Sequence, residues 1–280
     1  GRDLPLHSHF DLIVHLIKKN RLRRVGFEAK HITYGEVSKI RDRLKSAEFV
    51  PTYDLAEDLR VVKLEAEVRL IKKAVRINLS ALELIAKQIK PGRKEKDLAA
   101  LLEYQMRQLG AEKAAFETIV LSGKNSSMPH GRPSGQRIKN NQSVLIDSGV
   151  CFNGYNSDLT RVFFLAKIPS IIKKIHGIVR TAQNTAIKAI KPGAEAKKID
   201  ALARDYIKTK GFGGYFSHSL GHGVGREVHE APSISGRSKD ILKPGMVFTI
   251  EPAIYLPGVG GIRLEEMVLV TSNGCEVLSR

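Results

Sequence analysis

Four carboxylates in this chain stand at matched places along an internal repeat. Asp147 closes the apolar run Val144-Leu145-Ile146, and Glu251 closes Val247-Phe248-Thr249-Ile250. Each is followed by a second acid on the next strand, Asp158 after the first and Glu265 after the second. Gly149, Asn153 and Gly154 between Asp147 and Asp158 suit a hairpin, which sets two strand residues side by side. Four converging carboxylates repel one another unless something cationic stands among them. Arg161 and Arg263 lie close in sequence, but divalent metal is the better answer, because four carboxylates carry about the charge of two such ions. A mostly carboxylate site suits manganese, cobalt or iron.

One histidine ligand is expected beside these acids. The segment Ser217-His218-Ser219-Leu220-Gly221-His222-Gly223-Val224-Gly225 is rich in glycine, which lets the backbone approach closely, and His222 sits at its centre. His218, His222 and His229 fall within twelve residues, and His130 occupies the matching loop of the first half. The other five, His7, His9, His15, His31 and His176, read as surface or core residues without function. Gly258-Val259-Gly260-Gly261 lacks the lysine and helix of a phosphate loop and reads as a hairpin turn. Cys151 and Cys275 have neither the paired spacing of a zinc site nor an obvious base partner. Ser148 has no acyl-transfer triad around it, and Phe116, Phe152, Tyr155 and Tyr255 read as core or pocket wall.

The elements that position these residues recur 101 positions apart. Ile89-Lys90-Pro91-Gly92 returns as Ile190-Lys191-Pro192-Gly193. In each copy the motif ends one amphipathic helix and leads into another, which stops at Gly110 in the first copy and at Gly211 in the second. Each copy then passes through a loop rich in Gly, Ser and His and enters a strand pair, 143–151 with 160–166 and 246–255 with 262–271. Ile138 to Asp147 is nine residues, and so is Leu242 to Glu251. The first long helix begins at Leu64, with Val68, Ile71, Val75, Leu79, Leu82, Ile85 and Ile89 on one face. A second is expected over 95–109. The fold class is α+β: two halves related by a pseudo-twofold axis around a central antiparallel sheet. This catalytic domain spans 63–280. Residues 1–62 read as a partial α/β domain, with helices over 10–17 and 34–44 and strands over 22–28 and 48–53; two short strands rarely make a stable sheet alone.

The composition fits a globular protein: 280 residues, 42% hydrophobic and 27% charged. No run of eighteen apolar residues exists, so no membrane span is expected. Two cysteines make no disulfide framework, which fits a reducing, cytoplasmic setting. The balance of 46 basic against 29 acidic residues, or +17, raises nucleic acid, anionic lipid or an acidic partner. These charges are spread along amphipathic helices, with no tryptophan and no basic–aromatic alternation, so a solvated basic surface is the preferred reading and nucleic acid is not expected.

Six motifs carry a resemblance: Leu145-Ile146-Asp147-Ser148-Gly149, Tyr155-Asn156-Ser157-Asp158-Leu159-Thr160-Arg161, Gly221-His222-Gly223-Val224-Gly225, Val228-His229-Glu230, Thr249-Ile250-Glu251-Pro252 and Gly261-Ile262-Arg263-Leu264-Glu265-Glu266. In this order and spacing the chain resembles the pita-bread metallopeptidase family (M24), over about 64–279 and more weakly before that. The resemblance implies Asp147, Asp158, His222, Glu251 and Glu265 as ligands of two divalent ions sharing a bridging water or hydroxide. Manganese is the first choice, with cobalt, iron or zinc as alternatives. It also implies a homodimer. Methionine aminopeptidases usually carry Ala-Gln before the last ligand. Arg263-Leu264-Glu265-Glu266 looks instead like the proline-peptidase branch, as do Asp158-Leu159-Thr160-Arg161 and the segment holding Leu59-Arg60 and Lys63.

That branch implies hydrolysis of the bond between an N-terminal residue and proline, with hydroxide as nucleophile and Glu251 as proton shuttle. His229 would bond the carbonyl oxygen, His130 would contact the substrate near the scissile bond or the proline, His218 would line the proline pocket, and Arg263 would orient Asp158 or its neighbours. Prolidases of this type often carry arginine where this chain has Ser233, although Arg237 lies near enough in sequence to substitute. The leading expectation is therefore an Xaa-Pro aminopeptidase, with an Xaa-Pro dipeptidase (prolidase) as the alternative. A non-catalytic module binding protein or nucleic acid and a metal-free amidine hydrolase are further readings of the same fold. The intact set of five ligands argues against both.

Overall fold

The computed structural model describes residues 8–280; of the histidines discussed above, His7 lies outside the described residues. The chain divides into two compact units, one ending at Leu59 and the other running from Arg60 to Arg280. No helix among the described residues is long and apolar enough to cross a membrane.

In the first unit, Ser8 caps α1 (His9–Lys19) by accepting the Asp11 N–H. Next come β1 (Arg24–Glu28), α2 (Tyr34–Arg43), β2 (Glu48–Thr52) and α3 (Leu55–Arg60). Thr33 and Glu36 form a reciprocal capping box at the start of α2. The two strands pair in parallel, Val25 opposite Phe49. Val14 and Ile17 of α1, Ile40 of α2 and Leu44 form a small core with Phe10, Val25 and Phe49 against it. The short helix α3 was not anticipated. It buries none of its six residues, so its sequence carries no apolar period to read.

The second unit is built twice over. Its first half runs α4 (Glu65–Ala86), α5 (Glu95–Gln108), β3 (Lys113–Ala114), β4 (Ile119–Ser122), β5 (Ser143–Ser148), β6 (Val150–Phe152), β7 (Tyr155–Asn156) and β8 (Leu159–Phe164). Its second half runs α6 (Ser170–Lys188), α7 (Ala196–Thr209), β9 (Gly221–Gly223), β10 (Glu230–Ile234), β11 (Val247–Ile250), β12 (Ala253–Leu256), β13 (Gly260–Arg263), β14 (Glu266–Val270) and β15 (Cys275–Val277). Helices α4 and α6 end at Ala86 and Lys188, earlier than the Pro-Gly motifs suggest, so Ile89 lies beyond α4; the motif glycines Gly92 and Gly193 turn the linking loops with φ of 89° and 81°, a left-handed conformation that side chains rarely adopt. Gly92 N–H bonds the Ile138 carbonyl at 2.9 Å, and Gly193 N–H bonds that of Leu242 at 2.8 Å. The repeat in the sequence is thus a repeat in hydrogen bonding.

In both halves an apolar strand ending in an acid lies between antiparallel neighbours. β5 lies between β4 and β8, and β11 between β9 and β14. β12 and β13 form the expected hairpin around Gly258. Helices α4 and α5 cover one set of strands, with Ile71, Val75, Leu102, Val120 and Ile146 fully buried. Helices α6 and α7 cover the other, with Ile175, Val179, Ile207, Phe248 and Ile254. The halves meet where the Glu265 N–H reaches the Thr160 carbonyl at 3.4 Å. This is the pita-bread architecture, and it brings the acidic strand ends together.

Candidate active site

Asp147 is next to last in β5, a strand buried at every position. Its register partners are Ile119 and Thr160. The strand end is pinned by Asn78 on α4, whose Nδ2 donates to the Ser148 carbonyl at 2.6 Å and whose Oδ1 accepts from the Ser148 hydroxyl at 2.9 Å. A buried amide needs such partners, and here their combined effect is to fix the backbone beside Asp147. From there the β6–β7 hairpin returns the chain to Asp158 through Asn153 and Gly154, both at positive φ. The hairpin falls between the two acids as expected, although Thr160, not Asp158, stands opposite Asp147. The Asp158 N–H points at Met267 Sδ, 3.3 Å away in the other half.

His222 is the middle residue of β9, which lies between β10 and β11. A Cβ on Gly221 would fall 1.9 Å from the Thr249 carbonyl oxygen, and one on Gly223 would fall 2.1 Å from that of Ala231. Only glycine allows this approach. The Gly223 carbonyl lies 3.1 Å from His222 Nδ1 and takes the ring N–H. That tautomer leaves the Nε2 lone pair facing Asp158 Oδ2 at 3.5 Å and Glu251 Oε1 at 3.4 Å. One ligand atom each from Asp158, His222 and Glu265 lies within 4.8 Å of the others. Glu251 accepts from the Thr249 hydroxyl at 3.2 Å.

Arg263, at the end of β13, lies under this group and is nearly fully buried. Its Nη2 donates to Asp147 Oδ2 at 2.5 Å, its Nε to Thr160 Oγ1 at 3.0 Å, and its Nη1 to the Tyr255 hydroxyl at 2.7 Å and the Pro129 carbonyl at 3.1 Å. The Thr160 hydroxyl in turn donates a hydrogen bond to Glu265 Oε2 at 2.8 Å. The Tyr255 hydroxyl lies 3.1 Å from His218 Nε2, and His218 Nδ1 is engaged by the Ser219 carbonyl. One guanidinium thus aligns an acid from the first half, a threonine that holds an acid of the second, and a cavity histidine.

The electrostatics call for a cation. Burial, and after it the charges of Glu265, Asp147 and Glu251, push the Asp158 carboxyl well above the usual range. Burial followed by Glu251 and Asp147 does the same to Glu265. Burial raises Glu251 to about 8, against the pull of Arg263. Burial drives His222 and His218 down to about 4, so both rings are neutral and available as lone-pair donors or acceptors. Burial also works against the Arg263 guanidinium, but Asp147 and the neighbouring acids outweigh it. One positive charge among four acids leaves the site short of cations. Asp147 Oδ1 is moreover a buried oxygen with no hydrogen-bond partner among the described residues. Four carboxylates, one imidazole and an unpartnered oxygen fit divalent metal.

These residues line a cavity of about 510 Å³. Asp147, Asp158, His222, Glu251 and Glu265 share it with His130, His218, His229 and Arg263, so every candidate site residue of the sequence reading faces one space. Phe116, Ile119, Pro129 and Pro133 supply apolar wall. The His229 ring packs 4.1 Å from that of His222. The loop carrying His130 is held from beneath by Glu95, fully buried at the start of α5. Its carboxylate accepts from the N–H and hydroxyl groups of Ser122 and Ser134 and from Asn125 Nδ2. His9, His15 and His31 are exposed, and His176 packs edge-on against Phe164; none of the four lines the cavity.

The sequence reading gives the supporting residues Asn78, Glu95, Thr160 and Thr249 no role in the site, while Tyr255, read as core or pocket wall, is buried and bonds Arg263 and His218. Thr249 had a readable signal, since it precedes Glu251 by two residues, the spacing that shares a strand face. Asn78 is a polar residue among the apolar positions of α4. Glu95 had no comparable signal, because an acid in the first turn of a helix is ordinary.

Two family models match the chain, the creatinase/prolidase N-terminal domain over residues 3–62 and metallopeptidase family M24 over 69–272. An Xaa-Pro dipeptidase of Pyrococcus furiosus is 42% identical over 97% of this chain and 77% of its own length. Among solved structures, an Xaa-Pro dipeptidase from Bacillus anthracis superposes with a TM-score of 0.95 at 40% identity, covering 97% of this chain and 76% of that one. An X-Pro aminopeptidase from Thermotoga maritima gives 0.93 at 38%, covering 100% and 79%. With its repeat, its acidic strand ends and these likenesses in agreement, the chain belongs to metallopeptidase family M24.

Proposed function

We propose that this chain is a dinuclear metal-dependent peptidase that splits Xaa-Pro dipeptides. The observation that carries the proposal is the convergence of four carboxylates and His222 on one cavity that also holds His130, His218 and His229. The relatives named Xaa-Pro dipeptidase turn the choice of substrate length toward the dipeptide. An Xaa-Pro aminopeptidase is the second reading, favoured by the Thermotoga structure and by Ser233, which is exposed and spends its N–H on Asp240. Arg237 is exposed and is not among the cavity's lining residues.

In this reading Asp147, Asp158, His222, Glu251 and Glu265 hold two divalent ions. When bound, these supply a nucleophilic hydroxide at neutral pH and polarise the scissile carbonyl. Glu251 takes up a proton and delivers it to the departing proline nitrogen, its carboxylate lying at the cavity wall beside His222. His229 donates to the carbonyl oxygen as negative charge develops there. His218, fixed by Tyr255 and Ser219, faces the proline with Phe116 as apolar wall, and His130 contacts the substrate from the opposite loop. Arg263 holds and aims the Asp147 carboxylate.

Residues 63–280 form the catalytic domain in this proposal and 1–62 the N-terminal one. Manganese as the working metal is supported by the oxygen-rich donor set. A homodimer follows from the resemblance, and a cytoplasmic setting fits the free thiols of Cys151 and Cys275. The test is hydrolysis of Ala-Pro and Ala-Pro-Ala side by side, by metal-stripped protein restored with manganese, with Glu251→Gln as control. Faster metal-dependent cleavage of the dipeptide, abolished in the control, is expected. Preference for the tripeptide would install the aminopeptidase, and no cleavage of either would remove the peptidase reading.

A further inference from the structure

Beyond the residues that face the cavity, the second unit buries one ion pair that the proposed chemistry does not use. Lys63 Nζ lies 2.7 Å from Glu230 Oε1, with the side chains 2% and 10% exposed. Burial works to lower the Lys63 ammonium, and Glu230 opposes it. Taking such a pair out of water costs several kcal/mol, and apolar residues of the same shape often serve stability equally well. A role beyond stability is therefore worth seeking in what the pair holds.

Glu230 directly follows His229 and is the first residue of β10, opposite Gly223. Its Oε2 accepts the Glu227 N–H at 3.2 Å and so closes the turn 227–230 from inside. Gly225 packs against the same carboxylate; a Cβ there would fall 2.5 Å from Oε1. The Gly225 N–H bonds the Glu227 carbonyl at 3.0 Å, and Asn156 N–H holds the Gly225 carbonyl at 2.8 Å. The short loop between β9 and β10, whose last residue is His229, is thus gathered around one carboxylate. Lys63 anchors that carboxylate from outside the loop. Its Nζ also reaches the Val61 carbonyl at 3.2 Å, its own N–H bonds the Gly245 carbonyl at 2.9 Å, and Val62 bridges to Met246. The ammonium therefore hangs from a segment tied down next to β11, the strand that leads into Glu251.

We propose that Lys63 and Glu230 are positioning residues, whose buried pair sets the placement of the His229 imidazole relative to the acidic cluster. The proposal rests on the reading of His229 as the group that steadies the carbonyl oxygen. It predicts that losing the pair displaces His229 more than His222, whose backbone lies within β9 and whose Nδ1 is held by the Gly223 carbonyl, although the two rings pack 4.1 Å apart.

The test uses Lys63→Met, which strands Glu230, and the double variant Lys63→Met/Glu230→Gln, which strands no charge and keeps an acceptor for the Glu227 N–H. Nitrogen-15 shifts of the histidine rings in metal-free protein are expected to move in both variants, and further for His229 than for His222. In Ala-Pro hydrolysis kcat is expected to fall by about 10- to 100-fold with KM within about twofold. The double variant should keep this low kcat while recovering thermal stability lost by the single one. In a His229→Ala background the Lys63→Met change should cost little further activity. Unmoved His229 shifts overturn the proposal, as does a double variant that regains full kcat with its stability, or an undiminished Lys63→Met effect in the His229→Ala background. If wild-type protein cleaves no Xaa-Pro substrate the functional reading fails, and the ring shifts still decide whether the pair places His229.

Discussion

Arg263 and Asp147 come from opposite halves of the repeat, and Arg263 Nη2 lies 2.5 Å from Asp147 Oδ2. The pair puts the one buried guanidinium of the cavity wall against the acid near the end of the first half's central strand. It does so with a planar fork, three of whose other N–H groups are committed to Thr160, Tyr255 and Pro129. Lysine carries the same charge without that geometry.

Arg263→Lys is accordingly expected to fold and to bind metal, yet to lose about 10- to 100-fold in kcat/KM on Xaa-Pro substrates. Arg263→Met, which leaves Asp147 buried without a partner, should also lower the stability of metal-free protein by about 3 kcal/mol. Steady-state kinetics and denaturant titration of the two variants check both statements.

Removing an acid should relieve the metal-free protein and disable the loaded one. Glu265→Gln keeps an acceptor for the Thr160 hydroxyl and takes one charge from the cluster. Its melting temperature without metal should equal or exceed that of wild type. Wild type should gain about 2.7 kcal/mol from manganese at a hundred times its dissociation constant, and the variant much less. Scanning calorimetry with and without manganese shows either pattern.

The stability of metal-free protein should depend on pH in a stated direction. Glu251 has an ordinary carboxyl value of 4.5 and is raised to about 8 in the fold. A raised value means that folding favours the protonated acid, so its contribution is full below 4.5 and is lost as pH climbs through about 8. His222 and His218 are lowered from 6.5 to about 4, and their contribution is lost as pH falls through that range. The two effects oppose each other below 6.5, and only the acids act above it. Metal-free protein should therefore lose stability between pH 6.5 and 8, and saturating manganese should flatten the trend. Melting curves across that interval test it; a rise with pH in metal-free protein contradicts the assignment.

Glu95 is expected to matter without touching substrate. Its carboxylate gathers donors of buried Ser122 and of half-buried Asn125 and Ser134, on both sides of His130 in its loop. Glu95→Ala should cost about 3 kcal/mol, because those donors lose their acceptor inside the protein. Glu95→Gln should cost less, and in that variant KM should rise more than kcat falls. Kinetics at a temperature well below melting separates the two parameters.

Much of this molecule could be read from residues alone, for physical reasons that also mark where reading stops. Helices α4 and α5 announce themselves by apolar spacing, although α4 ends at Ala86, before the Pro91-Gly92 expected to stop it. The equivalence of Asp147 and Glu251 follows from equal counts back to Ile138 and Leu242. His222 is legible because its glycine neighbours have no other use than to let strands approach. What stays hidden is pairing across long separations. Arg263 could as well have faced Asp158 as Asp147, and nothing local in Lys63 says that it meets Glu230. Substrate length is also unwritten in the ligands. Ser233 pointed toward longer peptides, while the dipeptidases among the relatives point to shorter ones.

The division of the site between two halves has a consequence for how the protein is made. Asp147 and Arg263 are 116 residues apart in the chain. At translation rates of roughly 5–20 residues per second, about 6–23 s pass between the synthesis of one and the other. During that interval the nascent first half carries its acids without the arginine, histidine and glutamates that complete their surroundings. In the proposed function, metal capture is in this sense a late event of biosynthesis, reserved for a chain whose second half has already emerged.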